Sequence, residues 1–293
     1  MEHRSIQTIV EQFATREGAN ETEIPGLQLY RISGPIERSP AVYTPRICIN
    51  TRGAKRVFSK SGVHIYDSEQ FICCTMPVPV QVEVPNATPT APVMGISLDL
   101  DTGPCRELIQ LISAAQGHSI DFKFESTGPQ GLATGPISGT LEEAIRRLLE
   151  LLYDSTTCRA LAQGRLREVY YFLLTGPLGP VFQRRFGVSQ TIVETVCYLQ
   201  DNLTESLSID HLAKWAGMSR ATFHRRFKVI TGMTPIQFIK EYRLNSAAMQ
   251  LAAGMRTGEA ADAVGYSSIS QFSREFKRQF GQSPREWASR VST

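Results

Sequence analysis

The chain has 293 residues, 31 Lys and Arg against 28 Asp and Glu, a formal charge of +3 and 42% apolar residues, enough for two domains with separate cores. No run of about 18 apolar residues occurs, so no membrane-spanning helix is expected. The opening Met1-Glu2-His3-Arg4 lacks the apolar stretch of a secretion signal, and the six cysteines (48, 73, 74, 105, 158, 197) show no Cys-x-x-Cys spacing, so free thiols and a cytoplasmic setting are expected.

In chain order, residues 24–101 read as β-rich. Short β-branched and apolar runs fall at 27–32, 41–49, 56–58, 63–66, 71–76, 78–84 and 93–98. Ser33-Gly34-Pro35, Thr51-Arg52-Gly53 and Ser61-Gly62 separate them as turns, the pattern of a small barrel or sandwich. Helical patterns follow at 104–116, 140–153 and 157–174. Thr140-Leu141-Glu142-Glu143 has the form of a capping box. Leu141, Ile145, Leu148, Leu149 and Leu152 make one stripe, wide enough for a core and an edge offered to a partner. Gly176, Pro177, Gly179 and Pro180 mark 177–187 as a loose tether between a domain at 1–176 and one at 188–293.

Catalysis finds no support in the first domain. A metal-dependent barrel of this kind needs clustered histidines, and of the five in the chain (3, 64, 118, 211, 224) only His64 lies among the strands. No Gly-x-Ser-x-Gly, P-loop or dinucleotide fingerprint is present, so neither enzyme activity nor a cofactor or metal is expected. Two sensing chemistries stay open. Strand side chains such as Tyr43, Cys48, His64, Tyr66 and Cys74 could line a small-molecule pocket. The adjacent Cys73 and Cys74 could respond to oxidants or electrophiles, or be small buried hydrophobes; strand alternation lets only one of them face a pocket.

The last third writes one pattern twice. Phe223-x3-Phe227-Lys228-x3-Gly232-x-Thr234-Pro235-x2-Phe238 recurs 49 residues later as Phe272-x3-Phe276-Lys277-x3-Gly281-x-Ser283-Pro284-x2-Trp287. Each copy follows a short helical run and a glycine, Gly217 and Gly265, the grammar of a helix-turn-helix. Ser208 and Ser219 can cap the two helices of the first copy; Thr257 and Ser268, the latter in Ser268-Ile269-Ser270-Gln271, can cap those of the second. The Phe pairs face inward. Ala221, His224, Arg225 and Lys228 share another face of the first reader, and Ile269, Ser270, Ser273 and Arg274 another face of the second. These faces hold donors, acceptors, cations and a methyl-contacting side chain, as reading base edges in a major groove requires. Residues 189–293 carry 13 Lys and Arg against 9 Asp and Glu, the remainder 18 against 19, so the cationic surplus sits where phosphates would be neutralised.

From about residue 192 to 287 the chain resembles the DNA-binding domain of the AraC/XylS family of transcriptional regulators. The second copy, Ala263-Val264-Gly265-Tyr266-Ser267-Ser268 with Phe272-Ser273-Arg274-Glu275-Phe276-Lys277 and Phe280-Gly281-Gln282-Ser283-Pro284, carries most of the likeness. The resemblance implies two helix-turn-helix units joined by a long helix, here about 235–253. It places base contacts at Ala221, His224, Arg225, Ile269, Ser270, Ser273 and Arg274, with phosphate contacts at Ser219, Arg226, Lys228, Ser268, Lys277 and Arg278. Ala221 cannot donate a hydrogen bond, which narrows what the first unit reads. Tyr66-Asp67, Met76-Pro77-Val78 and Pro92 through Ser97-Leu98-Asp99-Leu100-Asp101 resemble the N-terminal domain of one subgroup, implying a cupin-like barrel followed by helices that dimerise and sense a signal. The expected fold is therefore α+β in two domains: a β-barrel or sandwich with helices, then an all-α domain with two helix-turn-helix motifs. The expected function is sequence-specific regulation of transcription, with promoter DNA, RNA polymerase, a second copy of the chain and a small-molecule effector as partners. The rival is a small-molecule-binding protein whose helical units contact proteins; a protein-binding face would be apolar, whereas Arg225, Lys228, Arg274 and Lys277 make these faces cationic.

Overall fold

The computed structural model describes residues 4–116, 131–186, 191–205 and 208–291; His3 and His118 lie outside them. The chain enters through α1 (Ile6–Phe13), capped by Ser5, with Ile9 and Val10 buried. Ten strands follow among the described residues: β1 (Gly18–Glu21), β2 (Leu27–Ile32), β3 (Ile36–Tyr43), β4 (Arg46–Arg52), β5 (Lys55–Ser59), β6 (Gly62–Tyr66), β7 (Gln70–Cys74), β8 (Val78–Val84), β9 (Val93–Asp99) and β10 (Leu132–Pro136). They form two antiparallel sheets, ordered β1-β2-β9-β4-β7-β10 and β3-β8-β5-β6. The sheets stay separate and do not close into a barrel. The run expected at 41–49 breaks at Thr44-Pro45, because proline has no N–H to continue a ladder. Its first half joins the small sheet and its second half the large one.

Against the outer face of the large sheet lie α1, α2 (Thr102–Gln116), α3 (Gly139–Glu150), α4 (Ser155–Thr175) and α5 (Gly179–Phe186), sharing one core with Leu29, Ile47, Phe71 and Leu98. Three expectations change here. The cap of α3 is Ser138, whose hydroxyl accepts from the Leu141 amide at 3.3 Å; Thr140 is already inside the helix. Leu141, Ile145, Leu148 and Leu149 are all buried in this core and Leu152 packs against it, so the leucine stripe is spent within the chain and leaves no edge for a partner. The stretch expected as a loose tether holds α5, whose Phe182 and Phe186 are buried in the same core.

The second half is helical: α6 (Thr191–Asp201), α7 (Ile209–Trp215), α8 (Arg220–Thr231), α9 (Pro235–Ala252), α10 (Thr257–Ala263), α11 (Ile269–Phe280) and α12 (Pro284–Val291). Pairs α7–α8 and α10–α11 are the two expected helix-turn-helix units. Their turns carry Gly217 at φ +62° and Gly265 at φ +78°. The repeated Gly232 and Gly281 close α8 and α11, both at φ +76°, where a side chain would be strained. Ser208, Ser219 and Ser268 cap as expected, accepting from His211, Thr222 and Gln271 amides. Thr257 does not: it is the first residue of α10, and Arg256 is the cap, its amide donating to Glu259 at 3.3 Å.

The two halves are joined through α9. Phe238 and Tyr242 of α9 lie in one buried cluster with Phe223 and Phe227 of the first unit and with Tyr66, Cys74, Met76 and Val80 of the sheets. Asn245, also buried, donates through Nδ2 to the carbonyls of Ala41 at 3.1 Å and Val80 at 3.0 Å, neighbours across β3 and β8. Lys60 pairs with Glu241 at 3.0 Å and Arg106 with Glu194 at 3.3 Å.

Candidate nucleic-acid interface and buried polar cluster

Each candidate reader is a helix held by two phenylalanines. On α8, Phe223 and Phe227 are fully buried with ring centroids 5.4 Å apart; on α11, Phe272 and Phe276 are fully buried at 5.5 Å. Phe238 packs edge-on against Phe227, and Trp287 against Phe276, which is why both copies carry an aromatic residue at that position. Burying these positions turns the opposite face outward. Ala221, His224, Arg225, Arg226 and Lys228 are exposed on α8, as are Ile269, Ser270, Arg274, Lys277 and Arg278 on α11, while Ser273 is half-buried. Ser219 and Ser268 stand at the helix N-termini, their hydroxyls engaged as caps. The structure thus brings the predicted contact residues together on two exposed helix faces.

The charge on those faces is free. Among the described residues, the side chains of Arg225, Arg226, Lys228, Arg274, Lys277 and Arg278 make no ion pair and no hydrogen bond within the chain. Many arginines of the N-terminal domain differ. Its Arg46, Arg56, Arg106, Arg146, Arg147, Arg165 and Arg167 are each paired with a carboxylate. Unpaired cations on a helix face are available to phosphates and base edges.

Between the sheets lies a second polar group. Tyr43, Cys48, Tyr66 and Cys74 converge there. The Tyr43 and Tyr66 hydroxyls are 3.4 Å apart, and the thiol of Cys74 donates to the Met76 carbonyl at 3.0 Å. His64 does not join them; its Nε2 is 3.0 Å from Ser61 Oγ beside the β5–β6 turn, and burial lowers its pKa. Three members escaped the sequence reading. Tyr30 donates to Asn50 Oδ1 at 2.5 Å and to the Ile49 carbonyl at 3.2 Å. Asn50 donates in turn to the Tyr66 carbonyl at 3.0 Å. Lys55 is 8% exposed, and its Nζ lies 3.5 Å from the centre of the Tyr30 ring. Among the described residues it has no carboxylate partner and no hydrogen-bond acceptor. The alternation of β5 carried the missed signal, since Lys55 shares its face with the buried Val57.

Burial dominates the titration of this group. It pushes the phenols of Tyr30, Tyr43 and Tyr66 and the thiol of Cys48 upward, and it pushes Lys55 down to about 8. The cluster therefore presents neutral hydroxyls and a neutral thiol around a cation. Cys73 and Cys74 are both buried, Cys73 toward the helices and Cys74 between the sheets, as strand alternation requires. No group of three or more His, Cys, Asp or Glu suited to a metal is found among the described residues.

A two-sheet domain clamped onto a pair of tandem helix-turn-helix units defines a class, and the comparisons identify it. The family model for the AraC-type transcriptional regulator N-terminus matches residues 23–181, and that for a helix-turn-helix domain matches 212–290. The chain belongs to the AraC-type transcriptional regulators. It is 28% identical over 158 residues to the HTH-type transcriptional activator RhaS of Yersinia pestis bv. Antiqua (strain Angola), a stretch covering 53% of this chain and 58% of that protein. It is 26% identical over 168 residues to the virulence regulon transcriptional activator VirF of Yersinia enterocolitica, covering 56% and 62%. The match thus spans little more than half the length of these curated relatives. In fold the chain is similar to an apo ToxT variant from Vibrio cholerae strain SCE256, with a TM-score of 0.59, 12% identity and coverage of 93% and 98%. It is likewise similar to wild-type ToxT bound to an unsaturated fatty acid, with a TM-score of 0.56, 10% identity and coverage of 89% and 94%. No described helix is long and apolar enough to cross a membrane.

Proposed function

We propose that this protein is a sequence-specific DNA-binding regulator of transcription, not an enzyme, acting in the cytoplasm under control of its N-terminal domain. The observation that carries the reading is the set of unpaired cations on the outward faces of α8 and α11. His224, Arg225, Ile269, Ser270, Ser273 and Arg274 are assigned to base edges, with Ala221 limited to apolar contact. Ser219, Arg226, Lys228, Ser268, Lys277 and Arg278 are assigned to phosphates. The rival protein-binding reading calls for apolar reader faces, and Ile269 is the one large apolar side chain exposed among these positions.

Residues 1–176 are assigned to sensing and 188–293 to DNA binding, with α5 of the intervening stretch docked on the first domain. The cluster around Lys55 is the proposed effector seat. Buried without an acidic partner, the ammonium suits an effector with an anionic group, and the neighbour ToxT has been solved with an unsaturated fatty acid. Self-association, with RNA polymerase as a further partner, completes the reading. Exposed Leu111 on α2 and Leu161 and Tyr171 on α4 offer apolar surface for a second copy, in place of the buried leucine stripe.

The test is selection of a binding site from random duplex DNA, then footprinting. Arg225→Ala and Arg274→Ala should each lose about 1–3 kcal/mol on the selected site and less on random DNA. Equal losses on both would reclassify these arginines as phosphate contacts, and a chain that selects no site would overturn the reading.

A further inference from the structure

The two helix-turn-helix units meet directly, and the side chain of Arg243 bridges them. Arg243 projects from the middle of α9. Its Nη2 donates to the Leu203 carbonyl at 2.6 Å and to the Glu205 carbonyl at 2.9 Å, both in the loop that precedes α7 of the first unit. Its Nη1 donates to the Gly265 carbonyl at 3.3 Å, in the turn of the second unit. The Gly265 turn lies against the first unit so closely that a Cβ there would sit 2.4 Å from the Leu203 carbonyl oxygen and 3.0 Å from Thr204 Cα. The guanidinium is half-buried in this junction, its Nε buried without a partner, and among the described residues no carboxylate neutralises it. A cation partly withdrawn from water and met by backbone carbonyls carries a desolvation cost, so its presence calls for a role.

We infer that Arg243 is the positioning residue that sets the spacing of the two recognition helices, and with it the spacing of the two DNA segments the protein accepts. The inference rests on the DNA-binding reading above. Helix α9 connects the units, but their apolar cores rest on different parts of it, the first on Phe238 and Tyr242 and the second on Leu244, Ala247, Ala248 and Leu251, with Lys240 of the first part also paired to Glu275 of α11 at 2.8 Å. The chain then leaves α9 through Gly254 at φ +92°, a joint that side chains do not stiffen. Among the described residues, the hydrogen-bonded tie across this contact is the three-carbonyl fork of Arg243. Two binding modules held rigidly at the right span gain effective concentration for the second contact, and they lose it when the span is wrong.

The experiment uses the full-length protein and the site it selects from random duplexes. Affinity is measured for that site, for each half of it alone, and for versions with one base pair inserted or deleted between the halves. Each base pair shifts the second segment by about 3.4 Å and rotates it by about 35°. The wild type should bind the shifted sites about tenfold or more weakly than the selected one. Arg243→Met keeps the apolar stem and removes all the donors. It should bind the selected site about tenfold more weakly, bind each half as the wild type does, and lose most of the spacing penalty. Arg243→Lys keeps the charge without the fork and should fall between the two, which keeps the inference testable if the Met variant folds poorly. An unchanged spacing penalty in both variants overturns the inference, as does an equal loss on selected, shifted and half sites, which is what a purely structural or phosphate-binding role would produce. A wild type that selects no site at all sinks the DNA-binding reading itself.

Discussion

Lys55 sits in the strand sequence Lys-Arg-Val-Phe-Ser, which by composition is ordinary surface, and the fold buries it. Its ordinary value of 10.5 is pushed down to about 8, chiefly by burial. The sign of the pH effect follows. Between about pH 8 and 10.5 the unfolded chain holds a proton that the native state has released, so this residue makes stability rise with pH across that window; below pH 8 both states hold the proton and the cost of burial is fully present. Lys55→Met should therefore melt at a higher temperature than the wild type at pH 7 and lose that part of the slope between pH 8 and 10.5. A variant that melts lower at pH 7 would show that the ammonium has a favourable partner when free of ligand. The outward residues of α8 and α11 proposed to contact DNA were legible because helical periodicity and the duplicated phenylalanines fix both faces at once. Lys55, Tyr30 and Asn50 were not, because lysine in a five-residue strand carries no repeat to compare with and the alternation of one buried valine is a weak guide.

At the level of elements, the two readers have cores of different reach. The second unit closes on itself: Ala260, Ala261, Val264, Phe272 and Phe276 pack on α9 with Trp287 and Phe280. The first unit does not, since Phe223 and Phe227 belong to a cluster that continues through Tyr242 into Cys74, Val78 and Val80 of the sheets. Phe227→Ala and Phe276→Ala should each cost about 3–5 kcal/mol, as deletions of fully buried aromatic rings do. Their hydrogen-exchange maps should differ: Phe276→Ala loosens α10–α12 alone, while Phe227→Ala also loosens β7 and β8. Identical, strictly local maps would show that the shared cluster does not transmit strain. The extent of this first core was invisible in the sequence, where each phenylalanine pair looks alike and contacts across some 150 residues leave no periodic trace. The same blindness explains α5. Glycine and proline mark where a helix begins as readily as where a tether runs, and only Phe182 and Phe186 hinted that the segment would be buried. Capping errors were small and of one kind: Ser138 and Thr140, or Arg256 and Thr257, are near-equivalent choices until the backbone is known.

For the whole molecule, Asn245 is the residue whose presence cannot be explained inside its own helix. Asparagine in a helix interior is a poorer choice than alanine. This one is buried, and its amide satisfies two strand carbonyls of the other half of the chain, Ala41 and Val80, which face each other across β3 and β8. The Lys60–Glu241 pair lies on the same side of α9 but is partly exposed, so screening leaves it a minor contribution. Tyr43, two residues along β3 from Ala41, contacts Tyr66 in the buried cluster, so the strand that Asn245 grips also borders the proposed effector seat. Asn245→Leu keeps the volume and deprives both carbonyls of their donor, at a cost of about 1–3 kcal/mol for each acceptor left buried and unmet. The loss falls on the seam and leaves the cores on either side intact. Exchange protection should drop together in β3, β8 and the middle of α9, small-angle scattering should report a larger radius of gyration, and α10–α12 should be unaffected. If the seam is held by its apolar contacts alone, protection in β3 and α9 will not change and the chain will stay as compact as the wild type. Should the seam open, DNA affinity of the variant without effector then reports on control. A change from the wild type would mean that docking of the first domain governs the readers, and the same affinity would mean that the two halves are joined mechanically but act independently.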